Sequence, residues 1–142
     1  MRTEMNKKAA FFPLVMVLVL VLTACSGGGS GGSTTVTVTL TDFAINASQT
    51  SFQTGVAYHF VVTNKGSVAH QFVIMPPMPD DPPMTQVKSA MLAGIDDTGL
   101  AAGASQSFDY TFKTAAPAGT LEFACHLQGH YDAGMHIGIT VQ

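Results

Sequence analysis

The chain has 142 residues, 46% of them hydrophobic, and a net charge of −3, which is one domain's worth of sequence. Three of its six basic residues fall within the first eight positions. From residue 25 onward three lysines face eight acidic residues, a balance of −5 that leaves no basic patch for nucleic acid.

The N-terminal region is expected to be a targeting segment. Arg2, Lys7 and Lys8 precede an uncharged, mostly apolar run from Ala9 to Leu22, too short for a permanent membrane span, so residues 1–24 are expected to be a signal peptide. Leu22-Thr23-Ala24-Cys25 looks like a bacterial lipobox, so Cys25 is expected to be lipidated and to become the mature N-terminus. Residues 25–33 then hold that Cys and a Gly/Ser stretch without apolar residues, a flexible spacer between anchor and domain. The expected location is outside the cytoplasm, anchored to the outer face of the cytoplasmic membrane or held in the periplasm or cell envelope. With Cys25 lipidated, Cys125 is the one thiol left, so no disulfide can form within the mature chain. A bound metal would protect such a thiol in an oxidising compartment.

Residues 34–142 are expected to form an all-β domain. Thr34 to Leu40 alternates Thr with Val or Leu, the period of a half-buried strand. Phe43, Ile45 and Phe52 suggest short extended pieces, and Val56 to Thr63 a second strong strand, on which His59 reads as a structural residue. Asn64-Lys65-Gly66-Ser67 is turn chemistry, after which His70 to Met75 resumes a strand. The prolines of Met75-Pro-Pro-Met-Pro-Asp-Asp-Pro-Pro-Met84 exclude a central strand there. Asp80 and Asp81 before Pro82, with Val87, Ala90 and Met91 at helical spacing before Gly94, predict one short helix within the 76–104 connection. Phe108 to Phe112, Leu121 to Cys125 and Ile137 to Val141 complete about seven strands, the count of a β-sandwich.

The chemistry concentrates in Cys125-His-Leu-Gln-Gly-His-Tyr-Asp-Ala-Gly-Met135, which places a thiol, two imidazoles and a thioether within eleven residues. Thiolate, imidazole and thioether are soft-leaning donors, and Cys with two His and a distant axial Met is the pattern of a redox copper site. Cys125, His130 and Met135 come from this stretch, and the best upstream candidate for a second imidazole is His70. Zinc is a poorer match, because its protein sites favour Cys, His and carboxylate over Met.

The Cys-x4-His-x4-Met spacing before a final strand, with His70 about half a domain upstream, resembles the cupredoxin family of small blue copper proteins, most closely its auracyanin, azurin and plastocyanin branch. The resemblance spans the whole globular part. It implies a Greek-key β-sandwich holding one mononuclear type 1 copper, with His70, Cys125 and His130 equatorial and Met135 axial. It also implies that His130 lies near the surface as the port for electrons. Many members carry Asn immediately after the upstream His, where it ties the two ligand loops together; here that position is Gln71. Gln71, His126 and Gly129 are expected to surround the ligands, shaping the site or passing electrons. His126 and His136 are both read as exposed or packed behind a ligand.

The expectation is a monomeric, membrane-tethered carrier of single electrons between a redox donor and acceptor, such as a cytochrome or an oxidase, and not an enzyme. A copper storage or resistance protein is the alternative, since Met75, Met78 and Met84 could bind a second copper as Cu(I); the simpler reading of these methionines is packing. A thiol enzyme using Cys125 with a His base has no separate support in the sequence.

Overall fold

The computed structural model describes residues 32–78 and 82–142. The expected signal peptide, the lipidation site Cys25, most of the Gly/Ser spacer and the expected helix start at Asp80 and Asp81 lie outside the described residues.

Alternation builds the first sheet. In β1, Thr34–Thr41, Val36, Val38 and Leu40 are fully buried while the threonines between them face outward. β4, Ala57–Asn64, buries Tyr58, Phe60 and Val62 in the same way. β1 runs parallel to β4 and antiparallel to β2, Ala44–Ala47, and β4 pairs antiparallel with β7, Ser105–Thr111, giving the order β2-β1-β4-β7. The second sheet has the order β3-β9-β8-β5-β6. Its strands are β3 Ser51–Phe52, β5 His70–Met75, β6 Ala93–Leu100, β8 Ala116–Ala124 and β9 His136–Val141. β1–β2, β5–β6 and β8–β9 are neighbours within one sheet and the other connections cross to the opposite sheet, so the chain is a β-sandwich, as expected.

The space between the sheets is filled largely by aromatic rings. Phe60 stacks on Phe108 at 5.2 Å, Phe72 packs on Phe123 at 4.9 Å, and Phe52 packs on Phe112 at 4.9 Å. Cys125 and Met135 belong to this same buried cluster, so the stretch expected to ligate a metal is continuous with the core.

β5 is buried along its whole length, and the reason is a third layer. Phe72 and Ile74 face the sandwich core, whereas Val73 and Met75 join Val87, Ala124 and Tyr131 in a second apolar cluster on the outer face. The helix α1, Met84–Ala90, closes that cluster. Seven residues without a side-chain cap are too few to be stable alone, so tertiary packing must hold α1. Burial of Val87 contributes about 1.5–3 kcal/mol of that hold. Pro83 occupies the N-cap position, and Gly94, read from sequence as the helix terminus, lies instead inside β6.

β6 has no clear sequence signature. Among the described side chains of Ala-Gly-Ile-Asp-Asp-Thr-Gly-Leu only Ile95 and Leu100 are buried, and the strand is an edge pairing with β5 alone. Gly94 is required there, since at φ 144° a Cβ would run into the backbone of Phe72 and Val73.

Candidate metal centre

Two distant segments deliver the site. β5 begins at His70, and the loop between β8 and β9 carries Cys125, His130 and Met135. The loop is closed at its base, where Cys125 N–H donates to the Met135 carbonyl at 3.0 Å. Within it His130 N–H donates to Leu127 O at 2.9 Å, and Met135 N–H donates to His130 O at 3.1 Å. Gly129 and Gly134 hold φ of 78° and 96°, the left-handed turns that let so short a segment fold back on itself.

The donor atoms converge. His70 Nδ1 lies 3.2 Å from His130 Nδ1, and Cys125 Sγ lies 3.3 Å from His130 Nδ1. These three residues form the one group of potential metal ligands of this kind among the described residues, their donor atoms all within 4.8 Å of one another. His70 and Cys125 are fully buried and His130 is half-buried. Met135 is fully buried in the cluster that contains Cys125. Burial pushes the Cys125 thiol above its usual range, although N–H groups of Gln71 and Leu127 pull the other way. Burial thus favours the neutral thiol, and a metal bound there would have to displace its proton.

Gln71 joins the two segments with both its backbone and its side chain. Its N–H donates to Cys125 Sγ at 3.2 Å, its Oε1 accepts from His126 N–H at 3.1 Å, and its Nε2 donates to Met84 Sδ at 3.6 Å. A Gln at this position thus ties β5 to the ligand loop.

The approach to His70 is also fixed by hydrogen bonds. Asn64 is fully buried; its Nδ2 donates to Val68 O and Leu100 O, both at 2.7 Å, and its Oδ1 accepts from Gly66 N–H at 2.8 Å. Two residues not read from sequence as part of the site come from the β1–β2 turn, where Phe43, expected in an extended piece, holds φ 64° instead. Asp42 Oδ1 lies 3.2 Å from His70 Nε2, and Phe43 packs edge-on against the His130 ring at 5.2 Å. Hydrogen bonds from the Ser67 hydroxyl and N–H, followed by His70, hold the Asp42 carboxyl below its ordinary range.

Behind the loop, Tyr131 is sandwiched between His126 at 4.5 Å and His136 at 4.2 Å, with the rings nearly parallel. Of the two readings of His126, exposed or packed behind a ligand, exposure is excluded: it is 4% exposed because the loop folds Tyr131 over it. His136 is exposed and lies 3.4 Å from the buried carboxylate of Glu122. Burial, and then a hydrogen bond to Glu122, push Tyr131 up to about 12. Burial likewise raises Glu122. His59 is far from this chemistry in the sheet, bonded to its cross-strand partner Asp109 at 2.6 Å.

No protein-family model matches the chain, and no curated protein sequence does. Solved structures do. A dithionite-reduced auracyanin from Roseiflexus castenholzii superposes with a TM-score of 0.61 at 21% identity, covering 79% of this chain and 99% of that one. Auracyanin A of Chloroflexus aurantiacus, described as a "blue" copper protein, gives 0.58 at 17% identity over 78% and 100% of the two chains. An azurin from Methylomonas sp. strain J gives 0.54 at 15% identity over 78% and 99%. The chain has the fold that these proteins share.

Proposed function

We propose that this protein is a blue copper electron carrier tethered outside the cytoplasm. Convergence of His70 Nδ1, His130 Nδ1 and the Cys125 sulfur from two distant segments carries the reading. The donor set fits copper: a thiolate with two imidazoles beside a buried thioether is soft, and Met135 is a poor zinc ligand. His70, Cys125 and His130, with Met135 buried beside them, would hold the ion, one copper per chain. When bound, copper supplies a one-electron couple.

The protein's part is to hold its donors still and to keep water out. β5 and the hydrogen-bonded loop fix the donors, Gln71 N–H supports the sulfur, and the core seals the inner side. His130 is half-buried behind Phe43, itself 45% exposed, and is the proposed port for electrons to and from a protein donor and acceptor, such as a cytochrome or oxidase. The apolar run before Leu22-Thr-Ala-Cys25 and the Gly/Ser spacer support export and a lipid anchor at Cys25, and the acidic balance argues against nucleic acid. The carrier works as a monomer and is not an enzyme in this reading.

Copper storage is less well supported. Met75 is fully buried, and Met78 and Met84 pack around Val87 and Tyr131, the role of adaptable core filler. The test is the visible spectrum and copper content of the Cu(II)-loaded protein beside Cys125→Ser. An intense thiolate band at one copper per chain, bleached by ascorbate and absent in the variant, is expected. A colourless protein at full occupancy overturns the reading, and more than one copper per chain favours storage.

A further inference from the structure

We infer that Asp42 is a positioning residue for His70, setting the imidazole tautomer and favouring the oxidised state of the metal. The inference rests on the copper reading above. A carboxylate can only accept hydrogen bonds, so the 3.2 Å contact between Asp42 Oδ1 and His70 Nε2 makes Nε2 the protonated nitrogen. That leaves Nδ1, the nitrogen facing His130 and Cys125, with a free lone pair. The contact therefore selects the one neutral tautomer able to bind a metal at the site.

The carboxylate is itself held firmly. Ser67 N–H donates to Asp42 Oδ1 at 2.9 Å and to Oδ2 at 3.2 Å, and the Ser67 hydroxyl donates to Oδ2 at 2.6 Å. His70 is completely buried, so its ring cannot turn to find water as a substitute partner. Gly66 presses on the pair from the chain itself: a Cβ there would collide with Asp42 Oδ1 and lie 2.6 Å from His70 Nε2. The β1–β2 turn, the β4–β5 loop and the first residue of β5 thus meet around a single hydrogen bond. A negative charge on the far nitrogen makes the imidazole a stronger donor, and stronger donation stabilises the more positive ion.

The experiment measures copper affinity and reduction potential in wild type, Asp42→Asn and Asp42→Ala. It also records nitrogen-resolved NMR of the His70 ring in the metal-free proteins. Asp42→Ala is expected to bind copper about 10–100-fold more weakly. Its Nε2–H signal should be lost or shifted into exchange with the other tautomer. The potential should rise, by about 59 mV for each tenfold loss of preference for the oxidised ion. Asp42→Asn, whose amide oxygen can still accept, should keep the tautomer but show the raised potential. Thermal unfolding of the metal-free variants reports the fold separately. A lowered unfolding temperature with unchanged potential, affinity and tautomer would make Asp42 a turn cap and overturn the inference. If wild type binds no copper, the copper reading fails, and the NMR comparison alone then decides whether Asp42 sets the tautomer.

Discussion

His70 and His130 present the same nitrogen to each other at 3.2 Å, yet the protein supports them in opposite ways. His70 opens a strand buried on both faces, is fully enclosed, and has its far nitrogen on a carboxylate. His130 sits on a loop, is half-buried, and is backed on one side by the edge of an exposed phenylalanine. Stiffness and access are divided between the two ligands. The sheet holds one imidazole where nothing can reach it, and a self-bonded loop holds the other where something can.

Removing each imidazole tests that division most strongly. His70→Gly and His130→Gly should each lose copper affinity by more than the roughly 10–100-fold typical of losing an outer partner. Added free imidazole should restore the thiolate band in His130→Gly, whose site has an open side. It should fail in His70→Gly, where the ring leaves a sealed cavity beneath the Asn64–Ser67 loop. Equal rescue of both variants would show that the two environments do not differ in access.

Glycines sharpen the same contrast at a smaller scale. Gly66 is needed for space, because its missing Cβ would strike the Asp42–His70 pair. Gly66→Ala should therefore cost about 1–3 kcal/mol by overpacking and weaken copper binding as well. Gly129 is needed for its backbone, with φ 78° and nothing within 4 Å of a Cβ. Gly129→Ala should cost about 1–2 kcal/mol through the left-handed conformation alone. Urea unfolding of the metal-free proteins beside copper titration separates them: only Gly66→Ala should lose more affinity than its stability loss explains.

The legibility of the sequence follows the same line. The Cys125–Met135 loop could be read because its donors are contiguous, and β1 and β4 because one face of each is apolar. β6 could not, because two glycines and two aspartates erase its period and an edge strand can tolerate them. Alternation gave the face on which His126 lies but not what covers that face, which depends on where Tyr131 folds back. Asp42 lies 28 residues before His70, and an Asp-Phe pair in a turn is ordinary chain until three loops meet. Replacement of the expected Asn by Gln71 left the tie between ligand segments open, and only the position of His126 N–H showed that the longer side chain reaches it.

Phe43 gives the smallest and most discriminating effect. It is the one non-glycine with positive φ among the described residues, at 64°, a conformation that costs an L-residue about 1–2 kcal/mol. Its edge contact with His130 returns about 0.5–1.5 kcal/mol, so Phe43→Gly should change stability by less than about 1 kcal/mol. Phe43→Ala keeps the strained backbone and loses the contact, so it should be the least stable of the three. Access should change far more than stability in both variants. With the ring gone, the edge of His130 is open, and small soluble oxidants should react faster with the reduced, copper-loaded protein by stopped-flow. Rates that match wild type, at unchanged potential, would mean that Phe43 does not guard the port, and the half-buried ligand would then owe its exposure to the loop alone.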